Sequence, residues 1–210
     1  HLGCQLHEAP EARQFGLKIV EYLQGETRRW SDKTDIKFVL EQSPAETTAY
    51  RFARLDLKYF SPAAGRYVKG NIAAGAIYYT NSTHLNAAAD VAPMQRVIQE
   101  GLFHKYLEGE VITHLQLGGF NPDKEELCRF VKDAFYNSAN HSIDFAPEFT
   151  SCLTCGRTAR GLNELCAHCG SAEVEGLARL TKSYSKISGW NKGKLAELKN
   201  RKIREDFKIN

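Results

Sequence analysis

Cys152-x-x-Cys155-Gly and Cys166-x-x-Cys169-Gly, ten residues apart, constrain this 210-residue chain more than any other feature. Two residues between thiolates let one tight turn place both sulfurs on a single ion. The glycine after each pair, Gly156 or Gly170, suits the bend that turns backbone N–H groups toward sulfur. Two such knuckles close a tetrahedral four-thiolate site with no open position, which predicts structural Zn²⁺. A redox dithiol and an iron–sulfur centre are the alternatives, although a redox Cys-x-x-Cys usually stands alone at a helix start. His168 lies between two of the ligands, but four thiolates already suffice. Residues 151–176 hold little to build a core, so metal binding would supply most of their folding free energy, on the order of 10 kcal/mol.

The rest of the chain has globular composition, 42 % hydrophobic and 25 % charged. No apolar run approaches the roughly 18 residues of a membrane span, and the polar first ten residues, broken by Pro10, are not a secretory leader. Six cysteines without an export signal predict a reducing, cytoplasmic setting. The first residue is His1 and the single methionine is Met94, which suggests a fragment or a processed product. A net charge of +3 is mild, but nine Lys and Arg residues fall between Arg179 and Arg204. Such a basic end reads as a solvated face, or else as the tail of a zinc-ribbon nucleic-acid-binding module. Against the second reading, no aromatic residues interleave the basic ones as a stacking platform requires.

Along the first 150 residues strands and helices alternate. Phe15, Ile19, Tyr22 and Leu23 form an apolar stripe that predicts an amphipathic helix over 8–24. "DIKFVLE" (35–41) reads as a buried strand, and 45–60 returns to helical spacing behind Pro44. A Pro- and Gly-rich loop (61–70) leads to a strand at 73–80. Val91, Met94, Ile98 and Leu102 mark the next helix, and 110–118 the next strand. Pro122 and Asp123 open the best-defined helix, 122–138, with Cys128 on its inner stripe as a buried small apolar residue. An extended segment, 141–149, closes the section. The alternation predicts an α/β fold with parallel strands and a boundary near 150.

Six motifs occur in order: "SPAETTAYRFARLDL", "YYTNSTHL", "LGGFNPDKEEL", "IDFAPEFTSCLTCG", the second Cys-x-x-Cys-Gly and "SGWNKGKLAELKNR". Together they resemble the C-terminal part of anaerobic, glycyl-radical (class III) ribonucleoside-triphosphate reductase. The resemblance implies a partial α/β fold, the second half of a ten-stranded α/β barrel, over 1–150. It implies a C-terminal Cys₄ zinc-ribbon-like domain over 151–176, then a radical-loop-like segment and basic helix over 177–210. It further implies reduction of ribonucleoside triphosphates for DNA replication, a homodimer, and no membrane or nucleic-acid partner. A separate activating enzyme, using S-adenosylmethionine and an iron–sulfur cluster, would take hydrogen from a glycine Cα. That radical would generate a thiyl radical on a loop cysteine, which abstracts the ribose 3′ hydrogen. The electron donor, formate or a thioredoxin-like dithiol, rests on residues that the resemblance does not place.

The family's Arg-Val-Thr-Gly-Tyr motif, laid without a gap, matches at Arg179 and Thr181, with Leu180 conservative and Trp190 and Asn191 matching downstream. The radical glycine falls on Lys182 and the following tyrosine on Ser183. A Cα radical is stabilised when planar and conjugated with both flanking amides, and a Cβ crowds that plane, so Lys182 is not competent. Gly189 and Gly193 read as turn glycines. At the other end, "GCQLHEA" keeps Leu6 and Glu8 but has Gln5 where a glycine is expected; Cys4 is the thiyl candidate. Thr80, Asn81, Ser82 and Thr83 follow a strand end and are candidate substrate-binding residues, or a capped turn into the next helix. Glu41 and Glu46 flank Ser43-Pro44, either orienting substrate hydroxyls or lying on the surface, while His84 and His114 take no assignment. A regulatory paralogue without catalysis is also consistent with Lys182.

Overall fold

The computed structural model describes residues 9–43, 45–180, 183–203 and 207. Helix α1 (Pro10–Thr34) starts on a proline, whose missing N–H costs nothing there, and ends at Asp35 in the left-handed region (φ 54°). It outruns the expected 8–24 by ten residues. Its stripe of Phe15, Ile19, Tyr22 and Leu23 is exposed among the described residues, and Ala12 and Gln24 are buried instead.

No strand forms at 35–41. Asp35 is spent capping α1, and Ile36, Phe38 and Val39 stay exposed. Gly109 N–H to Leu40 O (3.0 Å) and Gln42 N–H to Glu110 O (3.0 Å) join this segment to the 109–110 stretch without forming a ladder. Helix α2 (Glu46–Phe60) follows as the spacing predicts; Pro44 lies outside the described residues.

The Pro- and Gly-rich stretch is a short 3₁₀ turn (Ala63–Arg66) and then strand β1 (Lys69–Asn71), which pairs antiparallel with β2 (Ala76–Tyr78). Gly70 and Gly75 (φ 91° and 63°) make this hairpin. Ala53 of α2 packs on Val68 and Ile77, with Tyr50, Leu57 and Tyr79 around them.

Helix α3 (Pro93–His104), strand β3 (Thr113–Gly118), helix α4 (Lys124–Asn137) and strand β4 (Ile143–Pro147) form the larger core. Asp123 caps α4 by accepting from Glu125 N–H (3.0 Å) and Glu126 N–H (2.9 Å). β3 and β4 are parallel, the one parallel pair among the described strands, so parallel pairing throughout does not hold. Alternation along β3 sends Leu115 and Leu117 into a cluster with Val97, Phe130, Ala134 and Phe207. Phe207 packs edge-on against Phe130 (5.1 Å between ring centres) and Phe145 (5.7 Å), pinning the chain's end to the core. Cys128 faces solvent on α4, against the sequence expectation of burial, because the buried face of that helix runs through Phe130 and Ala134.

The remaining strands, β5 (Phe149–Cys152), β6 (Thr158–Arg160), β7 (Val174–Arg179) and β8 (Tyr184–Lys186), build one antiparallel sheet in the order β6-β5-β7-β8. Its strands β5 and β7 run across positions 150 and 176. A 3₁₀ turn (Ile187–Gly189) then leads to helix α5 (Lys192–Asn200), which lies on β2 and α2. No helix among the described residues is long and apolar enough to cross a membrane.

Candidate functional site

The two cysteine knuckles share the same backbone-to-backbone bonds. Gly156 N–H reaches Cys152 O (3.0 Å) and Gly170 N–H reaches Cys166 O (2.9 Å), both glycines at φ 73°. Cys152 N–H donates to Arg157 O (2.9 Å), and Cys166 N–H to Ser171 O (2.8 Å). Within each turn an N–H points at sulfur: Cys155 N to Cys152 Sγ and His168 N to Cys166 Sγ, both 3.4 Å. Cys152 pairs with Val174 across β5 and β7, so the sheet fixes the first knuckle against the chain that follows the second.

All four sulfurs lie within 4.8 Å of one another. The Cys152–Cys169 and Cys155–Cys166 separations, 3.6 and 3.7 Å, match the edge of about 3.8 Å of a tetrahedron with bonds of about 2.3 Å to a central metal. The Cys155 N–H lowers the Cys152 thiol to about 6. Cys169 is pushed up to about 12: the Ser171 N–H lowers it, but the crowd of neighbouring thiols, Cys152 first, outweighs that. Four acids so close cannot all ionise unless a cation sits among them. The quartet can therefore hold one metal ion. His168 stays outside it, its ring 3.5 Å from Arg157.

A second site is a cavity of about 110 Å³ where the end of β2, strand β3, the end of β7 and α5 meet. Of the four candidates at 80–83, Thr80 and Asn81 line it. Ser82 is exposed at φ 48°, and Thr83 Oγ1 accepts from Gln42 Nε2 (3.0 Å) in a turn-stabilising contact. Glu46 lines the cavity, whereas Glu41 packs against Gly109. Cys4 and Lys182 lie outside the described residues.

The two histidines without a sequence assignment both belong to the cavity wall, with ring centres 5.4 Å apart. Each is anchored at Nδ1 by a carboxylate: His84 by Glu100 (3.3 Å) and His114 by Asp144 (2.9 Å). Asp144 also meets Arg179 Nε (3.0 Å), which brings the last residue of β7 to the cavity. Burial alone would raise the Glu100 carboxyl. The hydrogen bond and charge of His84, the Arg96 guanidinium and the Leu85 N–H instead hold it at about 2. Burial lowers the pKa of His114, and the Asp144 hydrogen bond only partly offsets this. Strand alternation at His114 and Gln116 was a signal for this wall. The pairing of His114 with Asp144, thirty residues on, depends on a parallel register that no local pattern encodes.

The Trp-Asn-x-Gly-Lys motif closes the cavity from the other side. Asn191 caps α5 by accepting from Lys194 N–H (2.8 Å), and Trp190 Nε1 donates to Ser185 Oγ (2.7 Å). The Trp190 ring lies under Lys194 and Arg201 (5.7 and 5.6 Å), both paired with Glu197. Arg201 also donates to Arg179 O (3.0 Å), tying α5 to β7. Gly193 is not a turn glycine: it lies inside α5, where a Cβ would strike the Ile77 carbonyl oxygen and come within 2.7 Å of the Tyr50 ring.

Residues 1–203 match the family model described as anaerobic ribonucleoside-triphosphate reductase. Proteins of that name are similar from Enterobacteria phage T4 (24 % identical, 90 % of this chain and 31 % of that protein) and Salmonella typhimurium (26 %, 95 % and 28 %). The Haemophilus influenzae protein is 29 % identical over 77 % of this chain and 22 % of its own length. The chain thus spans about a third or less of these relatives. Among solved structures, an anaerobic ribonucleotide reductase superposes with a TM-score of 0.74 at 19 % identity, over 94 % of this chain and 30 % of that one. The Thermotoga maritima enzyme, crystallised with dATP and CTP, gives 0.70 at 20 % identity, over 90 % and 29 %. The fold is therefore a mixed α/β arrangement of the kind seen in those structures.

Proposed function

The chain belongs to the anaerobic ribonucleoside-triphosphate reductase family, and from that premise we propose that it is the C-terminal part of such an enzyme, an oxidoreductase making deoxyribonucleotides from ribonucleoside triphosphates in the cytoplasm. On this reading residues 1–150 belong to the second half of a ten-stranded barrel, 151–176 are a zinc domain, and 177–210 are the radical-loop-like segment with its basic helix. The cavity is where the ribonucleotide sits, with Thr80 and Asn81 on its wall. Cys4 remains the thiyl candidate. The observation that carries the proposal is a family match running from residue 1 to 203, with a four-sulfur cluster inside it.

Cys152, Cys155, Cys166 and Cys169 would hold Zn²⁺, since four thiolates at tetrahedral spacing leave no position open for substrate. The ion would supply structure: it would fix the start of β5 and the approach to β7, and through β7 the position of Arg179 at the cavity. Activation would need the separate S-adenosylmethionine and iron–sulfur enzyme, and the working form would be a homodimer.

Lys182 at the radical-glycine position argues that this chain does not itself carry the radical. It would act with a radical-bearing chain or as a regulatory relative. A nucleic-acid module is disfavoured because the basic residues at the cavity are engaged internally: Arg179 with Asp144, and Lys194 and Arg201 with Glu197. Electron paramagnetic resonance after anaerobic incubation with the activating enzyme and S-adenosylmethionine tests the reading. We expect no glycyl doublet from this chain; a doublet would show that the ungapped placement at Lys182 is wrong.

A further inference from the structure

Three acceptor atoms on side chains of the cavity wall are buried from water and receive no hydrogen bond from any described residue: Asn81 Oδ1, Gln116 Oε1 and His114 Nε2. A buried acceptor left without a donor is costly, so three on one wall call for a ligand that brings O–H groups. Five Lys or Arg side chains line the same space; Arg96, Arg179, Lys194 and Arg201 are paired with Glu100, Asp144 and Glu197, which leaves Lys202 to meet an anionic group on that ligand.

His114 is the most strictly defined of the three. It stands opposite Asp144 in the β3–β4 register, and an ionised carboxylate can only accept, so the imidazole proton is held on Nδ1. Nε2 then presents a lone pair. Arg179 Nε lies 3.0 Å from the same carboxylate oxygen, an ion pair that favours the charged form of Asp144. The histidine is thus fixed in both orientation and tautomer.

We infer that His114, set by Asp144, accepts a hydrogen bond from a sugar hydroxyl of the ligand, making the cavity select hydroxylated sugar phosphates over their deoxy counterparts. The inference rests on the reductase reading of the cavity and adds a specificity-determining residue to it. Asp144 is a positioning residue: it acts through the tautomer it imposes.

The test is calorimetric binding of CTP and of 2′,3′-dideoxy-CTP to the purified chain at neutral pH. The parent should prefer CTP by about tenfold, the difference one good hydrogen bond makes. His114→Leu should bring the two affinities within about twofold while leaving dideoxy-CTP binding unchanged. Asp144→Ala removes the acceptor that holds the ring proton on Nδ1. The proton is then free to sit on Nε2, so the variant should lose the same preference. Dideoxy-CTP binding serves as the check that each variant is folded. Failure of the parent to bind CTP would overturn the reductase reading and this inference together. Binding without preference, a preference that survives both substitutions, or loss of dideoxy-CTP binding in both variants would overturn the inference alone.

Discussion

His104 is fully buried, and it accepts His141 N–H on Nδ1 (3.1 Å). Burial lowers its pKa to about 4; Glu100 pulls the other way, while His141 and His84 reinforce the burial. The unfolded chain therefore takes up a proton near pH 6.5 that the folded chain refuses until about pH 4. Stability from this residue is complete above pH 6.5 and is lost as pH falls toward 4, on the order of 3 kcal/mol in all. Glu100 acts in the next window down. Its depressed carboxyl contributes stability present above its ordinary pKa near 4.5 and lost as pH falls toward 2. Urea midpoints measured from pH 7 to pH 4 should drop for the parent and drop distinctly less for His104→Gln, which keeps an acceptor for His141. Equal slopes would show that the imidazole does not carry this pH dependence. Neither histidine–carboxylate pair was legible in the sequence, since His84 and Glu100 are joined by tertiary packing. The clustering of the four cysteines was, because a Cys-x-x-Cys-Gly knuckle is defined by local backbone bonds alone.

Among elements, those written in local chemistry were readable and those written in pairing were not. Asp123 with its two following acids marks the start of α4, whereas α1 and α3 were read from their apolar spacing and their starts on Pro10 and Pro93 were not. Strand β2 falls inside the expected 73–80, but its partner β1 was hidden at the end of the Pro- and Gly-rich loop, since three residues around Gly70 carry no alternation signal. The apolar run at 35–41 misled because composition favours a strand there, whereas the long α1 consumes its first residue as a cap. The Trp-Asn-x-Gly-Lys motif resolves at this scale too, as a device for laying α5 against β2. Gly193 permits the approach: adding a Cβ would collide with backbone at Ile77, an overpacking expected to cost about 1–3 kcal/mol. Around Gly189 nothing lies within 4 Å of an added Cβ. Chemical denaturation should find Gly193→Ala destabilised by that amount and Gly189→Ala within about 0.5 kcal/mol of the parent. Equal effects at the two positions would show that α5 does not depend on close contact.

At the scale of the whole molecule, the cysteine-bearing sheet is sewn to the α/β body by backbone as well as by side chains. Glu148 N–H donates to Gly118 O (2.7 Å), Arg160 Nε to Phe120 O (2.9 Å), and Arg179 meets Asp144 (3.0 Å). The tips of the knuckles have no such support: Leu153, Leu162 and Leu165 are exposed, and Gly156 and Gly170 stand in open space. If a zinc ion closes the four thiolates, it is the main restraint on residues 152–170, while the far ends of β5 and β7 are held by the body. Metal analysis of the purified chain should find about one zinc, lost in Cys155→Ser. Hydrogen exchange should then show a gradient. Chelation would accelerate exchange most in 152–170 and less at 176–179, and would leave β3 and β4 at their original rates. Uniform acceleration through β3 and β4 would mean that the metal holds the entire molecule together. Unchanged protection in 152–170 would mean that the backbone bonds of the knuckles suffice without a metal, and zinc would then have no structural part in joining the end of β7 to the cavity.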